Sequence, residues 1–324
     1  MRAQAIAFLL GIAGGAMGGT YAHAQSYPSK PLRIIVMYGP GSTIDIMARL
    51  IAPKLTEALG QPVIVENRAG AGGAIGMDMA AKAPPDGHTL TIGATGPSVT
   101  NPLLYPKTPF DPLRDFAYIS LIATGPVVIA VHPSIPATDL KGLVALAKAR
   151  PGQLNYGSHG VGTSPHLAGE LFKLVTATSS VHVPYKGNAE AITDLLGGQI
   201  SIVFTGVPPV IPLMQAGKIK LMATTGGKRI AAIPNLPTIA EAGYPGASMG
   251  IWYGLVAPAA TPKDILARLH KEITRIQTLP DIRERFVQLG TEPTSSTPEA
   301  FTTLVRDELV KWGKVIKAAG VTVE

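Results

Sequence analysis

No cysteine occurs among the 324 residues. That excludes disulfide staples, a thiol nucleophile and every cysteine-ligated zinc or iron–sulfur centre. Beyond the N-terminal stretch there is no apolar run of about 18 residues, so no membrane-crossing helix is expected there. Charged side chains make up only 15% of the chain and apolar ones 46%. That balance excludes disorder as the main state. Low-complexity linkers and fixed-period repeats are also lacking. Nor do the basic residues cluster. The 28 Lys and Arg outnumber the 21 Asp and Glu, yet the densest group is Lys311, Lys314 and Lys317 at helical spacing. Such a stripe reads as one solvated helix face, and no nucleic-acid partner is expected. A modest positive field favours anionic small ligands instead.

What is present begins with a targeting pattern. Met1-Arg2 gives a short basic start, Ala5 to Gly19 is apolar and rich in Gly and Ala, and Ala22-His23-Ala24 offers an A-x-A site. This predicts a secretory signal peptide at 1–24, cleaved after Ala24. The remaining length suits two domains of about 150 residues.

The body of the chain reads as alternating β and α units. Leu32 to Met37 is a buried strand, and Ile44, Met47, Ala48, Ile51, Leu55 and Leu59 recur at helical spacing before Gly60. Strands follow at Pro62–Glu66 and His88–Ile92, with a short helix through Ala83 between them. This βαβαβ order predicts a parallel sheet covered on both faces. A second cycle runs from Tyr118 to Thr224, with strands at Tyr118–Ile122 and Val127–Val131 on either side of Gly125-Pro126. A strand at Trp252–Val256 and three C-terminal helices complete the chain. Two α/β lobes without a linker imply crossings on strands, placed near Leu121–Val127 and Gly250–Tyr253. The lobes then comprise residues 25–124 with 252–324, and residues 125–251. Such lobes enclose a cleft at the carboxyl ends of their strands.

Chemistry concentrates in two strand-to-helix loops. Gly39-Pro40-Gly41-Ser42-Thr43 is the first, and Gly157-Ser158-His159-Gly160-Val161-Gly162-Thr163-Ser164 the second. Glycines let a ligand approach the backbone, and free amides at a helix start favour an anion. One such loop in each lobe suits a carboxylate or phosphate held between them. Competing motifs fail. Gly70 to Gly76 lacks the spacing of a dinucleotide fingerprint, and Gly227-Lys228 lacks the rest of a P-loop. Gly246-Ala247-Ser248-Met249-Gly250 matches G-x-S-x-G, but a turn precedes it and a strand follows, the reverse of a nucleophile elbow. His159, His166 and Glu170 supply too few ligands for zinc. Ser158, Ser164, His159 and His166 share a loop in no known triad order. No catalysis, cofactor or metal is expected.

Over essentially its whole mature length the chain resembles the substrate-binding proteins of tripartite tricarboxylate transporters, the Bug family. The residues that carry this include Tyr27-Pro28-Ser29-Lys30-Pro31, Glu66-Asn67-Arg68-Ala69-Gly70-Ala71-Gly72-Gly73 and Pro85-Asp86-Gly87-His88. In the second half they include His166-Leu167-Ala168-Gly169-Glu170, His182-Val183-Pro184-Tyr185-Lys186-Gly187 and Leu236-Pro237-Thr238. The resemblance implies an α/β, two-lobe periplasmic-binding-protein (Venus flytrap) fold, each lobe a mainly parallel sheet flanked by helices. It further implies a monomeric periplasmic protein that closes on a small organic carboxylate and delivers it to membrane permease subunits. Alternatives are a component that presents its ligand to a signalling receptor, and a hydrolase on the same scaffold.

The expected clamp is Ser42 and Thr43 in one lobe, with Ser158, Gly162, Thr163 and Ser164 in the other. Asp45 is expected to accept loop amides and shape the anion site without touching the anion. Tyr38, His159 and His166 come from the same loops. Thr95, Ser98, Tyr185 and Thr205 come from the loops expected to line the far end. The family typically has Pro-Gly-Gly where this chain has Pro40-Gly41-Ser42, and often Asp where it has Thr205. Without that carboxylate a ligand ammonium lacks its counter-charge, which leaves di- and tricarboxylates and aromatic acids.

Overall fold

The computed structural model describes residues 27–105 and 107–321. The signal-peptide reading at 1–24 lies outside the described residues. In chain order the elements are β1 (Leu32–Val36), α1 (Thr43–Leu59), β2 (Val63–Asn67), α2 (Ala74–Ala81), β3 (Thr89–Ala94) and α3 (Asn101–Leu104). Next come β4 (Phe116–Val131), α4 (Leu140–Ala149), β5 (Asn155–Ser158), α5 (Ser164–Thr176), β6 (Val181–Pro184), α6 (Asn188–Leu196) and β7 (Ile202–Gly206). The chain continues with α7 (Ile211–Gln215), β8 (Lys220–Thr224), β9 (Gly250–Pro258), α8 (Lys263–Thr278), α9 (Pro280–Gln288), β10 (Glu292–Pro293) and α10 (Pro298–Ala319).

The strands lie in the order β2-β1-β3-β9-β4-β7-β5-β6, with β8 and β10 also paired to β4. Strands β2, β1 and β3 are mutually parallel, as are β6, β5 and β7. These are the βαβ units that the periodicity foretold. Between them β9 and β4 run antiparallel to each other and to their neighbours. Strand β4 joins the lobes. Phe116 to Pro126 pair with β9, whereas Val127 to Val131 pair with β7. Two strands interrupted at Gly125-Pro126 were expected; one continuous strand is found. Pro126 lacks an amide donor, and it sits where β4 changes partners, so little of a ladder is lost there.

The return crossing is tied to the outgoing one by Thr225, which is fully buried. Its Oγ1 accepts from the Val127 amide at 3.1 Å and donates to the Met249 carbonyl at 2.7 Å, one residue before β9 begins. The C-terminal helices then dock on the β4–β9 ribbon. Phe301 of α10 meets Trp252 edge-on at 5.1 Å, and Gln277 of α8 donates to the Leu121 carbonyl at 2.6 Å.

Helix α1 shows how sequence places the first loop. Its apolar side chains Ile44, Met47, Ala48, Ile51 and Leu55 are buried, each worth roughly 1.5–3 kcal/mol for the large ones. Ser42 caps its start and Gly60 ends it in the left-handed region. Among the described residues no helix is long and apolar enough to cross a membrane.

Candidate functional site

Helices α1 and α5 both begin at the edge of the cleft. Each start leaves amides without intrahelical partners. Ser42 has extended backbone, and its Oγ accepts from the Asp45 amide at 3.3 Å. Thr163 does the same for α5, accepting from the His166 amide and donating to the Gly160 carbonyl at 2.7 Å. Gly41 and Gly162 precede these caps at φ 77°, a left-handed conformation that a branched side chain resists.

Ser42, Thr43 and Ser164 line the small cavity between the two helix starts, together with Tyr38, Gly96, His159, Asn188, Gly206, Ile251 and Tyr253. Its volume is about 20 Å³, on the scale of a single water. The lobes are in contact around it. The rings of Tyr38 and His159 meet edge-on at 4.4 Å across the cleft. Thr100 Oγ1 of one lobe donates to the Gly162 carbonyl of the other at 2.6 Å. A Cβ placed on Gly96 would lie 3.0 Å from the Ser164 amide nitrogen and 3.3 Å from the Tyr38 hydroxyl, so only glycine leaves this approach open.

The lining carries no formal charge at neutral pH. Burial pushes the His159 imidazole down to about 4, with Asn188 opposing, and it raises the Tyr38 and Tyr253 phenols. Polar groups in the lining, and others just outside it, lack partners. Thr43 Oγ1, Ser98 Oγ, His159 Nδ1 and Thr205 Oγ1 are buried without a hydrogen-bond partner. Each such group costs about 1–3 kcal/mol when left unmade. Thr43 and Ser98 precede strand β4 in the chain, and His159 and Thr205 follow it.

The other expected site residues lie elsewhere. Ser158, Gly162, Thr163 and His166 sit one layer behind the lining. Ser158 Oγ contacts His182 Nε2 at 2.8 Å, and Gly162 donates its amide to His166 Nδ1 at 3.3 Å. Asp45 is 3% exposed and outside the lining. Burial raises its carboxyl, but bonds from Arg49, the Gly41 amide and Asn67 outweigh that and hold it below the usual carboxylate range. Thr95 is committed to the Trp252 amide, which it accepts at 3.1 Å. Tyr185 does not reach the cavity, because its hydroxyl donates to Asp194 at 2.7 Å. Ser98 and Thr205 are buried near the cleft but do not line it.

Sequence reasoning passed over Gly96, Asn188, Gly206, Ile251, Tyr253 and the inner partner His182. Gly96, Asn188 and Gly206 fall in the loops that carry Thr95, Tyr185 and Thr205, so their position was the available signal. Tyr253 and Ile251 were read only as hinge residues. A second cavity of about 400 Å³ lies at the crossings, walled by Thr124–Pro126, Gly250–Trp252 and α10. It is the roomier of the two; of its lining charges, Lys228 and Arg229 are paired with Glu292 and Glu241, Glu308 accepts from Trp252, and Lys311 lies over the Trp312 ring. Two partnerless polar atoms, Thr43 Oγ1 and His159 Nδ1, and both helix starts line the smaller cleft, which is therefore the candidate site.

Comparison with known proteins agrees with this geometry. Residues 47–321 match the model of the tripartite tricarboxylate transporter family receptor, TctC. Protein BugT of Bordetella pertussis is 35% identical, with 92% of this chain and 91% of that protein covered. A solved R. palustris protein with adipate is 36% identical at a TM-score of 0.89, covering 91% of this chain and 99% of the other. MatC from Rhodopseudomonas palustris with bound malate is 30% identical at a TM-score of 0.85, covering 90% and 100%. The fold is the mixed α/β fold of periplasmic binding proteins, and the chain belongs to the tripartite tricarboxylate transporter receptor family.

Proposed function

We propose that this protein is a periplasmic solute-binding protein that holds the carboxylate of a small organic acid between its lobes and delivers it to a tripartite tricarboxylate-type permease. The observation that carries the reading is the meeting of two helix starts, one from each lobe, at one uncharged cavity that also holds the partnerless Thr43 Oγ1 and His159 Nδ1. Burying a carboxylate is costly unless it is fully hydrogen-bonded. Helix-start amides and hydroxyls supply those bonds, each worth about 1.5–3 kcal/mol when the acceptor is charged, and the positive ends of both helix dipoles add to them. The protein then binds and releases its ligand unchanged. Adipate and malate in the R. palustris neighbours support a dicarboxylate. Thr205 offers no counter-charge to an ammonium, which disfavours amino acids.

In this reading residues 1–24 are an export signal, residues 25–124 with 252–324 form one lobe, and residues 125–251 form the other. The lobes open and close about the crossings near Leu121–Val127 and Gly250–Tyr253. The closed cavity must widen to admit a dicarboxylate, so ligand binding and lobe movement are coupled.

Isothermal calorimetry with adipate and malate tests the proposal, supported by a thermal-shift screen of other di- and tricarboxylates and aromatic acids. A ligand at about 100 times its dissociation constant stabilises by roughly 2.7 kcal/mol. Thr43→Ala should weaken binding by about 1.5–3 kcal/mol, one hydrogen bond to a charged acceptor. No heat and no thermal shift with any of these acids would overturn the assignment.

A further inference from the structure

The loop that begins α5 is held from behind by an imidazole. Gly162 donates its amide to His166 Nδ1 at 3.3 Å. A nitrogen that accepts carries no proton, so the neutral ring bears its hydrogen on Nε2. The next proton must therefore enter at Nδ1, where it would meet the Gly162 N–H. The same residue forms a bridge between lobes, because the Gly162 carbonyl accepts Thr100 Oγ1 at 2.6 Å. Its neighbours seal the contact. A Cβ on Gly162 would lie 3.0 Å from the Tyr105 ring, and one on Gly72 would lie 2.4 Å from the Val161 carbonyl oxygen.

We infer that His166 is a positioning residue that latches the closed cleft through Gly162, and that protonating it releases the latch. The inference rests on the two-lobe reading above and not on which acid is bound. His166 touches neither the cavity nor its contents; it acts through the loop backbone.

The surroundings oppose a charge on this ring. From β6, His182 lies with its ring centroid 4.3 Å from that of His166, and it also meets Ser158 Oγ. From β5, Tyr156 stacks on His182 at 4.8 Å. On α5 itself, Glu170 favours a charged His166, but its carboxylate is engaged by the Tyr156 hydroxyl and by Lys173 Nζ at 2.9 Å. Lys173 opposes the charge. Thr100, Asn101 and Tyr105, which meet the loop from the other lobe, are uncharged. Burial lowers the affinity of both imidazoles for protons, His182 to about 3.

The sign follows. With the loop closed, His166 titrates below its ordinary value; with the loop open, it titrates near 6.5. Closure is fully favoured above about pH 6.5 and weakens as pH falls from there toward the closed-state value. In that window the open fraction rises about tenfold per pH unit, a ceiling of roughly 100-fold between pH 7.5 and 4.5.

Amide hydrogen exchange over Val161–His166, corrected for the intrinsic pH dependence of exchange, tests this on the full chain without added acid. Parent protein should lose protection by up to about 100-fold from pH 7.5 to 4.5. His166→Asn supplies an acceptor at the same position that does not titrate, and should hold its protection within about tenfold. Equal losses in parent and variant would overturn the latch. Should His166→Asn fail to fold, nitrogen NMR of the parent imidazoles decides. Nδ1 unprotonated at pH 7.5, gaining its proton where protection falls, supports the inference; a proton on Nδ1 in the protected state refutes it. The readout needs no organic acid, so failure of the latch and failure of the proposed function are distinguishable.

Discussion

Gly206 ends β7 where the two lobes meet. A Cβ built on it would lie 2.3 Å from Thr43 Oγ1 and 3.5 Å from the Tyr253 hydroxyl. Ordinary contact needs about 3.5 Å, so Gly206→Ala requires the surfaces to separate by roughly 1.2 Å. Thr43 cannot simply turn aside, because its β-branched side chain is stiff and opens α1. Gly206 needs no left-handed backbone, so the added methyl does not strain its own strand. The clash is present in the closed arrangement and relieved on opening. Overpacking of this size typically costs about 1–3 kcal/mol. Charged against the closed, acid-free arrangement alone, that favours the wider cleft an acid needs and tightens acid binding by up to roughly 5- to 150-fold. Calorimetry with the acid that binds the parent measures the gain, and small-angle scattering should show the variant more open without acid. Thr43→Ala removes the atom that is struck. The double variant should therefore bind about as well as Thr43→Ala alone, a strong non-additivity. Parent-like affinity in Gly206→Ala, or simple additivity in the double variant, would refute closure through this contact.

Asp45→Asn replaces an acceptor of bonds from Gly41, Arg49 and Asn67 with a group that partly donates. It should lower stability by about 1–3 kcal/mol, read as a shift in the urea midpoint. Because the folded carboxyl titrates below its unfolded value near 3.9, this stabilisation is present above about pH 4 and lost as pH falls through the folded value. The gap between parent and variant should therefore close in acid. Glu308 behaves oppositely. Burial raises its carboxyl despite the bond from Trp252 Nε1 at 2.7 Å. Its contribution is fullest below the unfolded value near 4.3 and declines as pH rises through the folded one. Glu308→Gln keeps an acceptor for Trp252, so melting at pH 7 should be unchanged or higher, and a clear fall would contradict this account.

Much of the fold was legible because its signals are local. The spacing of Ile44, Met47, Ile51 and Leu55, closed by Gly60, determines a helix regardless of what it packs against. The parallel strands β1 and β3 are apolar runs bounded by turns. Strand β4 was harder. Gly125-Pro126 carries the local chemistry of a break, but tertiary pairing with β9 on one side and β7 on the other holds the segment extended. Propensity was overridden by partners that lie up to about 130 residues away in sequence, which no local window can register.

The site divides along the same line. The loops that start α1 and α5 announce themselves through Gly, Ser and Thr before a helix, because capping is a local event. Which of their atoms face the cavity is set by packing across the cleft. Ser158 and Ser164 looked equivalent in sequence, yet Ser164 lines the cavity while Ser158 turns inward to His182. Tyr253 and Ile251 reach the site only because β9 crosses between the lobes beside β4. The same crossing explains why the lining can dispense with Lys and Arg. Two lobes bring two helix starts to one point, and together they supply partial positive charge and fixed donors without the desolvation cost of a buried cation. A neutral clamp of this kind keeps its charge state as the medium changes. Proton sensitivity then has to enter from behind the loops, where His166 and His182 lie, rather than from the atoms that meet the acid.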